Sequence, residues 1–246
     1  KPSPELSYQL DARLVLPDSN LGIEFEFEDV RIVADLPEDI EKYWTVHDEP
    51  SLKRDGMEFV FKSPMFGKDA IDAIEVLLAF AERNKFSCTR RTGFHAHMDV
   101  RNLEPPQLVG MGIIYGIVEP AIFHWIGDKR EDSVFCVPWY KAWGEVQHVA
   151  KLLALFNKQD PGVKKQAERC ERYAAFNLQA LHKYGSVEFR HMRTTMSMAR
   201  IMQWLNMILS LKSAALAMPT SDGAILHMAK MYGVRNFCSR VFGPLF

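Results

Sequence analysis

Residues 21–29 read L-G-I-E-F-E-F-E-D, a strict alternation of acid and bulky apolar side chains. In an extended strand successive side chains point to opposite faces, so Glu24, Glu26 and Glu28 line one face while Ile23, Phe25 and Phe27 line the other. Three carboxylates in a row repel one another. Burying them without cations between them costs several kcal/mol per charge, at about the scale of an isolated buried ion. Two readings follow: a metal or metal-phosphate site, or an edge strand with a solvated acidic face. Taken alone, the stretch favours the solvated edge.

The apolar face of this strand calls for a core, and the chain has the means to build one. It has 246 residues, 48% of them hydrophobic and 25% charged, which suits a globular protein of one large domain spanning residues 1–246. Lys+Arg 30 against Asp+Glu 31 gives a formal net charge of -1, so no global field recruits nucleic acid or an anionic membrane. The chain opens K-P-S-P-E-L, with no apolar leader in view. Cys88, Cys136, Cys170 and Cys238 are scattered, without a C-x-x-C pair. They read as small buried apolar residues in a reducing, cytoplasmic setting. The most apolar run, 111–127, is interrupted by Glu119, Pro120 and His124 and reads as a core helix.

Three other segments carry chemistry on strand-like patterns. Met57 to Phe61, M-E-F-V-F, is a short strand whose single charge is Glu58, either exposed or a ligand. Gly93 to Val100, G-F-H-A-H-M-D-V, places His95, His97 and Asp99 on one face and Phe94, Ala96, Met98 and Val100 on the other. Two histidines at i and i+2 can converge on one ion, or can be incidental core histidines. In Ser186 to Arg193, S-V-E-F-R-H-M-R, Glu188 and Arg190 share a face with Ser186 and Met192, opposite Val187, Phe189 and His191. They form either a surface ion pair or a metal ligand beside a phosphate-binding fork.

Around these lie the expected scaffold elements. A loose first strand is expected over residues 7–17, closed by turn residues 17–20, with 30–34 continuing the acidic strand or opening the next segment. Residues between that point and Glu58 are rich in turn formers and read as loop. Helices are expected from Gly67 to Asn84, from an Asn102 cap toward Ile126, over Trp139 to Asn157, over Ser197 to Met218, and over Ala224 to Tyr232 with Gly233 as the stop. The basic stretch Lys158 to Arg172 reads as a mobile flap or a solvated face, with the solvated face favoured. Asn177 to Leu181 and Ser186 to Arg193 read as a hairpin joined at Lys183, Tyr184 and Gly185.

Singly each motif is ambiguous, but together they set carboxylates, imidazoles and a guanidinium on several strand faces. Such faces brought together need divalent cations to offset their charge, and cations with carboxylates and an arginine make a phosphoryl-transfer site.

In order and wording the motifs resemble the amidoligases related to glutamine synthetase and gamma-glutamylcysteine synthetase. The matching stretches are G-I-E-F-E (22–26), D-G-M-E-F-V (55–60) with S-P-M-F-G (63–67), G-F-H-A-H-M-D (93–99), R-E-D-S-V-F-C-V-P (130–138) and N-L-Q-A-L-H-K-Y-G-S-V-E-F-R (177–190). The resemblance implies an α+β fold in which a curved, mainly antiparallel sheet forms a funnel, with helices on its outer face. It also implies ATP and two magnesium ions, or manganese in their place. Glu24, His95 and Glu188 would hold one ion, and Glu26 with Glu58 the other. His97 would touch the nucleotide phosphates, with Asp99 nearby in the cofactor site, and Arg190 would steady the transferring phosphoryl group. Glu188 and Glu58 join Arg190 in the catalytic set. The implied reaction joins a small-molecule or peptide carboxylate to an amine through an acyl phosphate, with no nucleic acid or membrane partner.

This chain departs from that pattern at two points. Only one clear carboxylate stands near Glu58, so the second ion would be held more loosely or draw on Asp48, Glu49 or Glu28. Lys62 follows the Glu58 strand, as a contact for an acidic substrate or as a surface lysine. Two other functions compete: a metal-dependent hydrolase using His95 and His97 as a zinc or manganese pair, and a non-catalytic nucleotide- or peptide-binding member of the same fold. Glu28 is the weakest member of the acidic face and is expected at most to border the mouth of the funnel.

Overall fold

The computed structural model describes residues 14, 16, 18–31, 36–141, 143–218 and 222–243. Its centre is a six-stranded antiparallel sheet in the order β2-β3-β1-β4-β6-β5. The strands are β1 (Leu21–Phe27), β2 (Trp44–Asp48), β3 (Met57–Phe61), β4 (Gly93–Asp99), β5 (Phe176–Asn177) and β6 (Ser186–Arg193). The acidic strand β1 lies inside the sheet, hydrogen-bonded to β3 and β4. The solvated-edge reading therefore fails, because an edge strand would leave one side unpaired.

The alternation of β1 decides how the sheet is used. Ile23, Phe25 and Phe27 are fully buried, and Phe59, Phe94, Ala96, Met98, Val187 and Phe189 join them in one contiguous core. Phe25 meets Phe94 edge-on at 4.6 Å and stacks beside Phe27 at 5.8 Å. Burying each such ring contributes about 1.5–3 kcal/mol. Helices cover this face: α2 (Gly67–Arg83), α3 (Pro105–Ile126) and α7 (Met198–Ala217) contribute Ile74, Leu77, Ile114, Tyr115, Leu205 and Ile208 to the same core. Helix α3 is long and apolar enough to cross a membrane by length and composition, yet 61% of its most apolar window is buried, and it packs against α4 (Trp143–Asn157), α7 and α8 (Asp222–Phe242). The expected core helix is the observed one. Its cap is Glu104 with Gln107 in a capping box, not Asn102, because Pro105 and Pro106 fill the first turn.

Several expectations need correction. The stretch before Glu58 is not all loop: Trp44–Asp48 forms β2, anchored by Trp44, whose indole donates to Ala73 O at 3.0 Å, and a short α1 (Glu38–Glu41) precedes it. Asn177 to Leu181 is not a hairpin arm. β5 stops at Asn177, whose side chain accepts from Gln179 N at 2.8 Å and turns the chain into helix α6 (Gln179–Tyr184). Gly185 ends that helix at φ 66, and a Cβ there would lie 2.4 Å from Arg101 Cγ.

Residues 139–141 form a 3-10 turn ahead of α4. The basic stretch holds a short helix, α5 (Val163–Ala167), whose buried Gln166 donates to His148 O at 3.2 Å while Lys164 and Lys165 stay exposed. The solvated face is the observed arrangement. Gly233, at φ 73, kinks α8, which continues beyond the expected stop.

All four cysteines are free, with Cys88 exposed and the other three buried. The expected first strand at 7–17 falls largely outside the described residues, as do residues 32–35 of the segment after β1.

Candidate functional site

The face of the sheet opposite the core gathers the polar motifs. In register, Glu24 lies opposite His95, Glu26 opposite Glu58, and His97 opposite Glu188. A β-bulge between Phe94 and Ala96 shifts the β4–β6 register by one residue. Met192 consequently pairs with Phe94 and lies in the core, instead of sharing the face of Glu188 and Arg190 as strict alternation implies. The resulting cleft, about 420 Å³, is lined by Glu24, Glu26, Glu58, His95, His97, Glu188 and Arg190 together. Four strand motifs spread over 167 positions of sequence (24 to 190) thus share one site.

His95 is the hub. Its Nδ1 lies 3.2 Å from Glu24 Oε2 and 3.8 Å from Glu188 Oε1, and its Nε2 lies 3.9 Å from Glu26 Oε1. Two groups offer ligand atoms that lie within 4.8 Å of one another: Glu24, His95 and Glu188, and Glu26, Glu58 and His95. Each is a nitrogen-oxygen donor set suited to a hard or borderline divalent cation. His97 Nε2 lies 3.4 Å from the other oxygen of Glu24, and its Nδ1 sits 3.3 Å from Ser186 Oγ. Among the described residues neither group contains both histidines.

The strands hold these groups with specific supports. Glu26 Oε2 accepts from Gly93 N at 2.5 Å, and a Cβ on Gly93 would lie 2.6 Å from His95 Nε2 and 3.1 Å from that carboxylate. A side chain at position 93 would force the His95 ring or the Glu26 carboxylate to shift. Asn177, opposite Glu188 on β5, donates to Glu188 Oε2 at 2.7 Å. Arg190 pairs through its guanidinium with the other oxygen, Glu188 Oε1, donates to Phe135 O at 3.2 Å and stacks over Tyr173 at 5.6 Å. Beneath it, buried Arg130 donates to Arg190 O and His191 O, both at 3.1 Å.

The charge arrangement is unbalanced within the sheet face. Burial acts to raise the Glu24 carboxyl, but hydrogen bonds and charge from His95 and His97 outweigh it and hold the group well below the usual carboxylate range. Burial raises Glu26 against the pull of His95. Glu58 is pushed up to about 8 by burial and by the charges of Glu24, Glu26 and Glu49. Burial lowers His97, yet its hydrogen bond to Glu24 leaves it raised. A site in which Glu26 and Glu58 resist ionisation beside one another, with two nitrogen-oxygen ligand groups already facing, fits the binding of cations.

Two expected residues lie elsewhere. Glu28 is buried but turned away from the cleft: it accepts from Lys53 N at 2.9 Å and pairs with Arg54 at 3.0 Å, tying down the loop before β3. It is absent from the cleft lining and from both ligand groups. Asp99 lines a neighbouring groove of about 290 Å³ that shares Glu24, His97 and Tyr184 with the cleft, and Arg101 holds its carboxylate through two bonds of 2.9 and 2.7 Å. Exposed Lys62 stands at the same groove.

Of the candidates for a further acid, Asp48 is exposed at the end of β2, whereas Glu49 lines the cleft. Asn177, Arg130 and Gly93 carry no assigned role in the sequence reading. The motif that continues from Asn177, and the place of Arg130 and Gly93 at the start of the 130–138 and 93–99 stretches, are their signals.

Compared with protein-family models, curated proteins and solved structures, the chain matches none.

Proposed function

We propose that this chain is an ATP-dependent carboxylate-amine ligase of the glutamine-synthetase-like kind, its sheet forming the wall of a funnel. The observation that carries the reading is the pair of facing ligand groups, Glu24–His95–Glu188 and Glu26–Glu58–His95, in one cleft with Arg190. His95 Nδ1 lies nearer to Glu24 and Glu188 than its Nε2 does to Glu26, so His95 belongs with the first group. Glu26 and Glu58, with Glu49 in the same lining, then serve the second. Magnesium or manganese held there would offset the charge of the nucleotide phosphates.

In the proposed reaction a carboxylate oxygen attacks the γ-phosphorus of ATP and ADP leaves. The amine nitrogen then attacks the acyl carbon, the C–O bond breaks, phosphate departs and the amine loses a proton. Arg190, at the edge of the ligand groups, meets charge on the transferring phosphoryl group and then on the acyl phosphate. His97, whose pKa is raised against burial by its hydrogen bond to Glu24, offers a donor to a phosphate oxygen. The smaller groove, with Val60 and Pro64 in its lining beside Asp99 and Lys62, offers a partly apolar seat for the adenine and ribose. The hydrolase reading is weakened because the two histidines flank one carboxylate and do not share a ligand group.

The test is ATP consumption against a panel of acids and amines. ADP and phosphate should appear only when a matching acid and amine are both present, and Glu24→Gln and Glu188→Gln should abolish turnover. Full activity in both variants would refute the site assignment.

A further inference from the structure

We infer that the acid activated by this site is an acidic peptide chain, which reaches the ligand groups across α6 over Arg172, Lys183 and Lys164. The inference rests on the ligase reading and names its substrate class. The cleft and a second surface depression of about 520 Å³ are adjoining spaces: both are lined by Gln179 and Lys183. The depression adds Lys164 and His182, with Glu168 the one acid in its lining. A path therefore leads from the carboxylate face outward, and its flanking charges change sign along the way.

The cations on this path are available to a ligand. No ion pair among the described residues engages Arg91, Arg130, Arg172, Lys183 or Lys164. Arg172 and Lys183 instead lie over the rings of their own neighbours, Tyr173 at 5.6 Å and Tyr184 at 4.6 Å, which hold the charged ends at the rim. Arg130 is 2% exposed, lines the cleft, and donates to two backbone carbonyls beside the Cys136 thiol, with Glu26 the acid whose charge acts on it, so it adds positive potential at the inner end of the path.

A free amino acid fits this wall poorly. Its ammonium would meet Arg91, Arg130, Arg172 and Lys183, with Glu49 the one acid in the lining outside the two ligand groups. A peptide has no free ammonium near its reacting side chain, and its further carboxylates would lie along Lys183 and Lys164. A nucleic acid would suit the charge, but it has no carboxylate to activate.

The experiment measures binding of fluorescein-labelled hexaglutamate by anisotropy in Mg²⁺ buffer, with free glutamate, hexaglutamine and a single-stranded oligonucleotide as competitors. Manganese and ATP binding are followed on the same preparations. Hexaglutamate should bind about tenfold or more tighter than glutamate and weaken as salt rises. Lys164→Glu, and more so Lys164→Glu with Lys183→Glu, should weaken it about tenfold while manganese binding and ATP-raised melting persist; both side chains are exposed, so the variants should fold. Hexaglutamate no tighter than glutamate, with manganese and ATP still bound, would overturn this inference and leave the ligase reading standing. Tighter binding of the oligonucleotide would overturn it as well. Absence of manganese and ATP binding in the unaltered chain would refute the ligase reading, and this inference with it.

Discussion

Arg190 and His95 face the same oxygen: Glu188 Oε1 pairs with the Arg190 guanidinium and lies 3.8 Å from His95 Nδ1. The arginine thus satisfies a carboxylate that the proposed reaction needs as a metal ligand. Cation binding would draw Glu188 toward Glu24 and His95 and free Arg190 for the phosphoryl group. Arg190→Gln should therefore bind Mn²⁺ more tightly than the unaltered chain when no nucleotide is present, while losing turnover. Titration calorimetry checks this, and weaker metal binding in the variant would contradict it.

The raised acids give a pH dependence of definite sign. Glu58 titrates at about 8 in the folded chain against 4.5 for an unperturbed carboxyl, so the folded state binds its proton more tightly than the unfolded one. Its contribution is intact below 4.5 and is lost as pH rises toward 8. Burial shifts Glu26 in the same direction. Without metal, melting temperature should fall between pH 5 and pH 8, and saturating Mg²⁺ should flatten that fall while releasing protons to the buffer. A metal-independent pH profile would count against the site.

Glycine at position 93 sets the spacing of the hub. Gly93→Ala forces its Cβ against His95 Nε2, 2.6 Å away, and against the Glu26 carboxylate. Displacing a ligand in this way typically weakens metal affinity about 10–100-fold. The change should appear in Mn²⁺ affinity before it appears in the circular dichroism spectrum; unchanged affinity would show that His95 has room to move.

Glu26 and Glu28 are two residues apart in sequence and should behave oppositely. Glu28→Ala removes the partner of Lys53 N and Arg54 and should lower stability by about 1–3 kcal/mol while sparing metal binding. Glu26→Ala should weaken or remove one of the two ions, keep the ion at Glu24, His95 and Glu188, and leave the metal-free chain at least as stable, since it relieves repulsion with Glu58. Denaturant melts with and without Mn²⁺ separate the two.

The period-two alternation of β1, β3 and β4 was readable because the same residues that set the core face also set the polar face, so each strand carries its own register. What escaped the sequence depends on contacts between segments. Glu28 keeps the alternation but meets a returning loop that supplies Lys53 and Arg54. Met192 leaves its expected face because the bulge beside Phe94 adds a residue. Gln179–Tyr184 is a helix because the Asn177 side chain and Gly185 punctuate its ends, and six residues give too little periodicity to separate helix from strand. Glu49 enters the cleft only because β2 pairs with β3, a pairing that its own turn-rich neighbourhood obscures.

The central claim is that the acidic face of β1 serves a pair of divalent cations at which ATP is bound. Mn²⁺ titration followed by electron paramagnetic resonance, with a non-hydrolysable ATP analogue present, tests it most directly. Two ions per chain are predicted, falling to one in the Glu26→Gln, Glu58→Gln double variant, with the remaining ion lost when Glu24→Gln is added. No bound manganese, or a single tightly held zinc indifferent to these substitutions, would contradict the account.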